Sequence, residues 1–114
     1  METILVVEDD GAVRAVVAEM LAGHGYRVLA APNADDAAAL LNGDPVDLVV
    51  LDLMLPAAQA DLPALLPAAR FVYISGFPAD ALPVALPFGS TFVQKPFSSD
   101  ALLTAVRLAL AAGG

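Results

Sequence analysis

The sequence predicts an α/β domain built on a doubly wound parallel sheet, and three observations carry that prediction. Short apolar runs of strand length alternate with segments of helical periodicity from one end of the chain to the other. The runs Ile4-Leu5-Val6-Val7 and Leu48-Val49-Val50-Leu51 are unbroken aliphatics, the pattern of strands covered on both faces. Both end in acids, at Glu8-Asp9-Asp10 and at Asp52, and open α/β sheets keep their chemistry at the carboxyl ends of their strands.

Residues 3–7 read as the first strand. Asp10 is placed to cap a helix from Ala12 to Ala22, with Val13, Val16, Val17, Met20 and Leu21 on its apolar face. Gly23 and Gly25 end that helix with His24 between them, and Arg27 to Ala30 form a short second strand. Asn33 caps a helix carrying Ala37, Leu40 and Leu41, stopped by Asn42-Gly43. Val46 to Leu51 is the third strand, Phe71 to Ile74 the fourth, and Thr91 to Gln94 the fifth. Ser98 or Ser99 caps a last helix through Leu102, Leu103, Val106 and Leu110, closed by Gly113-Gly114. Prolines shorten the other two helical segments. Pro56, Pro63 and Pro67 confine the third to about Leu62 to Ala69, and Pro78, Pro83 and Pro87 leave the fourth a turn or two around Ala79 to Ala85.

Length and composition bound the function. The 114 residues fit a single domain, 1–114, with one core. Five Lys and Arg against thirteen Asp and Glu give a net charge of −8, which repels phosphate backbones and argues against nucleic-acid binding. There is no cysteine, so disulfides and thiolate metal sites are excluded and a reducing compartment, the cytosol, is expected. No apolar run reaches the roughly 18–20 residues that span a bilayer, and the amino terminus shows no signal-peptide pattern. Arg14, Arg27, Arg70 and Arg107 read as solvated surface charges, and His24 as an exposed loop residue.

The acids at the strand ends suggest a chemistry. In a parallel sheet Glu8, Asp9, Asp52, Ser75 and Lys95 all follow apolar runs of one polarity and emerge on one edge. Crowded carboxylates raise one another's pKa or demand a cation. Hard oxygen ligands without His or Cys suit Mg²⁺, which keeps part of its shell for water and phosphate oxygens. A cation bridging Asp9 and Asp52 leaves one Asp52 oxygen free to attack phosphorus, with Lys95 and the Ser75 hydroxyl available to a transferring phosphoryl group. Asp10 reads better as a helix cap than as a ligand.

Four segments together resemble the receiver domain of two-component response regulators: Ile4-Leu5-Val6-Val7-Glu8-Asp9-Asp10, Leu51-Asp52-Leu53-Met54-Leu55-Pro56, Tyr73-Ile74-Ser75-Gly76-Phe77 and Phe92-Val93-Gln94-Lys95-Pro96-Phe97. They stand in the family's order and span residues 4 to 97. The resemblance implies a flavodoxin-like five-stranded sheet of order 2-1-3-4-5. It implies that Asp52 is the phosphoacceptor, charged by a phosphohistidine on a histidine kinase or a histidine phosphotransfer protein. Asp9 matches the direct Mg²⁺ ligand, Glu8 the acid beside it acting through water, and Met54 the position whose backbone carbonyl completes the metal site. Ser75 matches the hydroxyl residue that binds the phosphoryl group, Lys95 the phosphate-binding lysine, and Pro96 a proline whose preceding bond is commonly cis. Ser75 and Phe92 match the switch pair that reports phosphorylation to a protein-interaction surface. The domain is then a signalling module rather than an enzyme acting on outside substrates, though it catalyses its own phosphoryl transfer and dephosphorylation.

The sequence departs from the family pattern in three places. Only twenty-three positions separate Asp52 from Ser75, Ala57-Ala58-Gln59-Ala60 replaces a loop that usually holds glycine, and prolines break the fourth segment. The last departure falls on the face many receivers use for dimerisation, so a homodimer stays open, and together they motivate an alternative: an interaction module that keeps the fold without phosphorylation. A phosphohydrolase with an aspartyl nucleophile would want an acid two residues after it, where Met54 stands. The chain ends just after its last helix, which predicts no attached output module; a free-standing receiver and a domain of a hybrid kinase both fit. Kinase, signal and downstream partner are not written in the sequence.

Overall fold

Every strand of the sheet is parallel to its neighbours, and the sheet runs β2-β1-β3-β4-β5. The structure is a computed structural model, and it describes residues 2–41, 43–53, 66, 68–76 and 91–111. The strands are β1 (Thr3–Val7), β2 (Arg27–Ala31), β3 (Leu48–Asp52), β4 (Arg70–Ser75) and β5 (Thr91–Gln94). Three helices stand among the described residues: α1 (Gly11–Ala22), α2 (Ala34–Leu41) and α3 (Ser99–Ala111). The expected architecture and strand order are therefore present. The shortened third and fourth helical segments fall almost wholly outside the described residues. At the end of the third, Ala68 and Ala69 form a turn leading into β4, where a helix is expected from the sequence to run to Ala69.

Side chains alternate between the two faces of a strand, and that parity sorts the core into two layers. Ile4, Val6, Leu48, Val50, Val72, Ile74 and Val93 face one way and pack against Val17 and Leu21 of α1 and Leu102, Leu103 and Val106 of α3. Leu5, Val7, Val49, Leu51 and Tyr73 face the other way, against Ala34, Ala37 and Leu41 of α2. β1 and β3 are buried at every position, as their unbroken aliphatic runs require.

Local chemistry sets the helix ends. The Asp10 carboxylate accepts from the amides of Ala12 and Val13 and caps α1. Asn33 accepts from the Asp36 amide before α2. Of the two serines, Ser98 is the cap of α3, its hydroxyl accepting from the Ala101 amide at 3.1 Å. Gly25 and Gly43, with φ of +89° and +85°, take the left-handed backbone that turns the chain toward the next strand after α1 and α2.

Five further expectations need correction. β2 continues to Ala31 and β4 to Ser75, while β3 starts at Leu48 and takes Asp52 as its last residue. Pairing across the sheet, which apolar run length does not report, moves these ends. Val16 and Leu40, assigned to apolar helix faces, are 63% and 45% exposed. Each lies on the flank of its helix, beyond the stripe that touches the sheet.

Candidate functional site

Three charged side chains converge at the carboxyl edge of the sheet because they share one parity. Glu8 follows Val6 on the face covered by α1 and α3, Asp52 follows Val50, and Lys95 follows Val93. Strand order sets β1 beside β3, and β4 and β5 carry Lys95 back toward them. The Lys95 ammonium lies 3.2 and 3.0 Å from the two Glu8 oxygens and 3.1 Å from an Asp52 oxygen. Glu8 is wholly buried, Asp52 is 2% exposed, and Lys95 is about a quarter exposed. Asp9 is exposed beside them. Ligand oxygens of Glu8, Asp9 and Asp52 all lie within 4.8 Å of one another.

The backbone holds this arrangement from several sides. The Glu8 amide donates to the Ala31 carbonyl of β2, and Glu8 Oε1 accepts from the Asp10 amide. Arg14 Nη1 donates to the Glu8 carbonyl at 2.9 Å. The Leu53 amide donates to the Ile74 carbonyl, tying the end of β3 to β4. The Lys95 amide donates to the Ser75 carbonyl at 2.7 Å, and the Lys95–Pro96 peptide is cis.

Ser75 is wholly buried, one residue beyond Ile74, the register partner of Asp52. Phe92 pairs with Tyr73 across the β4–β5 ladder and packs, half-buried, against the second core layer. The structure thus brings Glu8, Asp9, Asp52 and Lys95 into one cluster, with Ser75 and Phe92 on the adjoining strands. Met54 lies outside the described residues. Beside Lys95 opens a groove of about 540 Å³, lined by Ala12, Val13, Val16, Val17, Pro96 and Phe97.

Burial pushes the Glu8 carboxyl up to about 7. Its hydrogen bond with Asp52 adds to that rise, the bond from Lys95 opposes it, and the Asp52 charge adds again. Burial alone would lower Lys95, but hydrogen bonds from its ammonium to Glu8 and Asp52, with their charges, outweigh burial and hold it above the ordinary lysine value. Lys95 therefore stays charged, and the Glu8 carboxyl changes charge near neutral pH.

A stability profile follows from the sign of that change. A carboxyl with a folded-state pKa of about 7 against 4.5 unfolded binds its proton more tightly in the folded protein. Its contribution is complete below pH 4.5 and is lost as pH rises through 7. In chelator, the melting temperature should fall between pH 5 and pH 8, by the equivalent of about 2 kcal/mol, because a tenfold difference in proton affinity is worth about 1.4 kcal/mol. A melting profile that stays flat, or climbs, over that range contradicts the burial of Glu8.

The donor set fits a hard divalent cation. Three carboxylates against one ammonium leave uncompensated negative charge, all ligand atoms are oxygen, and exposed Asp9 leaves an approach from solvent. Sequence reasoning placed Glu8 beside the metal but missed its complete burial and its pairing with Lys95. It also read Arg14 as a solvated surface charge. Arg14 is instead half-buried over the β1–α1 turn, and an arginine one helical turn after three acids is the signal that could have found it.

The chain matches the sequence pattern of the response regulator receiver domain over residues 4–60. It is 36% identical to the sensor kinase CckA of Brucella abortus over 92% of its own length. It spans 12% of that kinase and less than half of the next curated relatives it matches. Among solved structures, the receiver domain of the hybrid histidine kinase CckA is 30% identical, with a TM-score of 0.77 over 95% of this chain and 98% of that one. A response regulator of Burkholderia pseudomallei, solved with a phosphorylated aspartic acid and a calcium ion, is 26% identical. Its TM-score is 0.78 over 98% of this chain and 70% of that one. Among the described residues no helix is long and apolar enough to cross a membrane.

Proposed function

The chain belongs to the response regulator receiver family of two-component systems, and on that premise we propose that Asp52 is its phosphoacceptor in a Mg²⁺-dependent relay. The observation that carries this reading is the Lys95 ammonium lying 3.1 Å from an Asp52 oxygen within an acid cluster able to hold a cation. Asp9 and Asp52 would hold Mg²⁺ directly, Glu8 through water, and the Met54 carbonyl would complete the set. Bound there, the ion supplies positive charge to the oxygens of an incoming phosphoryl group.

The chain's own residues do the rest. The Asp52 carboxylate attacks the phosphorus of a phosphohistidine; the new O–P bond forms as the P–N bond breaks, and the imidazole keeps the electron pair. Lys95 neutralises charge on the phosphoryl oxygens, and the Ser75 hydroxyl donates to one of them. The donor is a histidine kinase or a histidine phosphotransfer protein, in keeping with the hybrid kinase that carries the CckA receiver. The phosphorylated aspartic acid and calcium of the Burkholderia relative support the same chemistry at Asp52.

Ser75, drawn toward the phosphoryl group, would shift Phe92 against Tyr73 and change the surface beyond β5. A bias of about 1–3 kcal/mol suffices to alter a partner's affinity severalfold to a hundredfold. The unit is a single receiver domain over residues 1–114, a cytoplasmic signalling module rather than an enzyme for outside substrates.

The test is intact mass after incubation with Mg²⁺ and acetyl phosphate. The unaltered protein should gain one phosphoryl group, and Asp52→Asn none. If neither acetyl phosphate nor a phosphohistidine donor modifies the unaltered protein, it is an interaction module that works without phosphorylation.

A further inference from the structure

Three acids in a row at the β1–α1 turn have three different surroundings. Glu8 is turned inward onto Lys95, and Asp10 caps α1. Asp9 is exposed, with no hydrogen-bond or ion-pair partner among the described residues. Nothing on its own side chain therefore fixes where its carboxylate points; the backbone on either side must do so. Beyond it, the Asp10 carbonyl accepts the first helical hydrogen bond, from the Arg14 amide at 2.9 Å. Before it, the peptide joining Glu8 to Asp9 presents its carbonyl to the Arg14 guanidinium, also at 2.9 Å. Helical side chains lean toward the amino terminus, so a long residue one turn into α1 can reach back across the turn. Arg14 is half-buried and makes no ion pair among the described residues.

We propose that Arg14 is a positioning residue: by bonding the Glu8 carbonyl it locks the Glu8–Asp9 peptide and holds the Asp9 carboxylate where it can share a divalent cation with Asp52. The proposal rests on the reading of the acid cluster as a metal site. Arg14 acts on the cation through Asp9, as groups behind metal ligands commonly do.

Charge and geometry predict opposite signs, and the opposition makes the role testable. A cation beside three acids weakens metal binding by its field, so if charge were all, removing it would tighten Mg²⁺. If the clamp matters more, removing it loosens Mg²⁺. By isothermal titration calorimetry, Arg14→Met should bind Mg²⁺ about 10-fold more weakly or worse, within the 10–100-fold typical of supports behind metal ligands. Arg14→Lys, which keeps the charge and one donor, should fall between the two. Arg14→Gln, which loses the charge but stays polar, should also bind more weakly and serves in place of Arg14→Met if that variant fails to fold. Since Asp52, Lys95 and Ser75 are untouched, saturating Mg²⁺ should restore most of the phosphorylation rate, whereas general damage to the site would leave the maximal rate low. Mg²⁺ affinity equal to or tighter than that of the unaltered protein, in Arg14→Met or Arg14→Gln, overturns the clamp. If the unaltered protein itself fails to bind Mg²⁺, it is the metal-site reading that falls, and the clamp with it.

Discussion

Replacing Lys95 by Met should destabilise the chelated protein by about 3 kcal/mol at pH 8, because it strands two buried carboxylates with no countercharge. Glu8 is wholly buried and Asp52 is 2% exposed, so water cannot take over the work of the ammonium. The acids have one escape, to hold a proton between them, and that fixes the sign of the pH dependence. Without Lys95 the folded-state pKa of Glu8 moves further above its unfolded value. The variant's stability should then fall more steeply than the parent's as pH rises, and the penalty should shrink toward pH 5.5. Urea melts at the two pH values read both effects. A Lys95→Met protein as stable as the parent at pH 8 would show that the ammonium does not hold the acid edge together. In Mg²⁺, where the cation offsets the acids, the variant should fold yet take up phosphate about 100-fold more slowly or worse, as expected when a preorganised charge facing the reacting oxygens is lost.

Asp9→Ala should have the opposite profile, with little effect on the fold and a severe one on function. Asp9 is exposed and forms no hydrogen bond or ion pair among the described residues. In chelator the variant should melt at or slightly above the parent's temperature, since it relieves repulsion from Glu8, Asp10 and Asp52. At Mg²⁺ ten times the dissociation constant the parent gains about 1.4 kcal/mol by ligand linkage. The variant should gain nothing measurable, and its phosphoryl adduct should disappear from the mass spectrum. An unchanged melting shift in Asp9→Ala would move the metal away from the cluster. Together the two variants separate what holds the acids together from what makes them useful.

Much of this architecture is legible in the chain. Two unbroken aliphatic runs show that β1 and β3 are covered on both faces, and the acids that stop them place the chemistry at one sheet edge. Asp10 announces its helix cap because a carboxylate just ahead of an amphipathic run has an obvious local partner. Such signals are short-range: a residue's own neighbours contain the physics. Where a partner lies across the fold the signal fades. Lys95 stands 87 positions from Glu8 and 43 from Asp52, and nothing local says that it bonds both.

The order of residues is thus enough to dictate the succession of the described strands and helices, the sheet edge at which Glu8, Asp52 and Lys95 emerge, and the residue types that meet there. Folding in three dimensions was needed to seal Glu8 from water, to bridge two acids with one ammonium, and to close Arg14 over the β1–α1 turn. It likewise left Val16 and Leu40 exposed. Periodicity specifies which way a side chain points from its own backbone. What it meets there depends on which strand lies alongside and how far each helix leans, and those are settled by packing the whole chain at once.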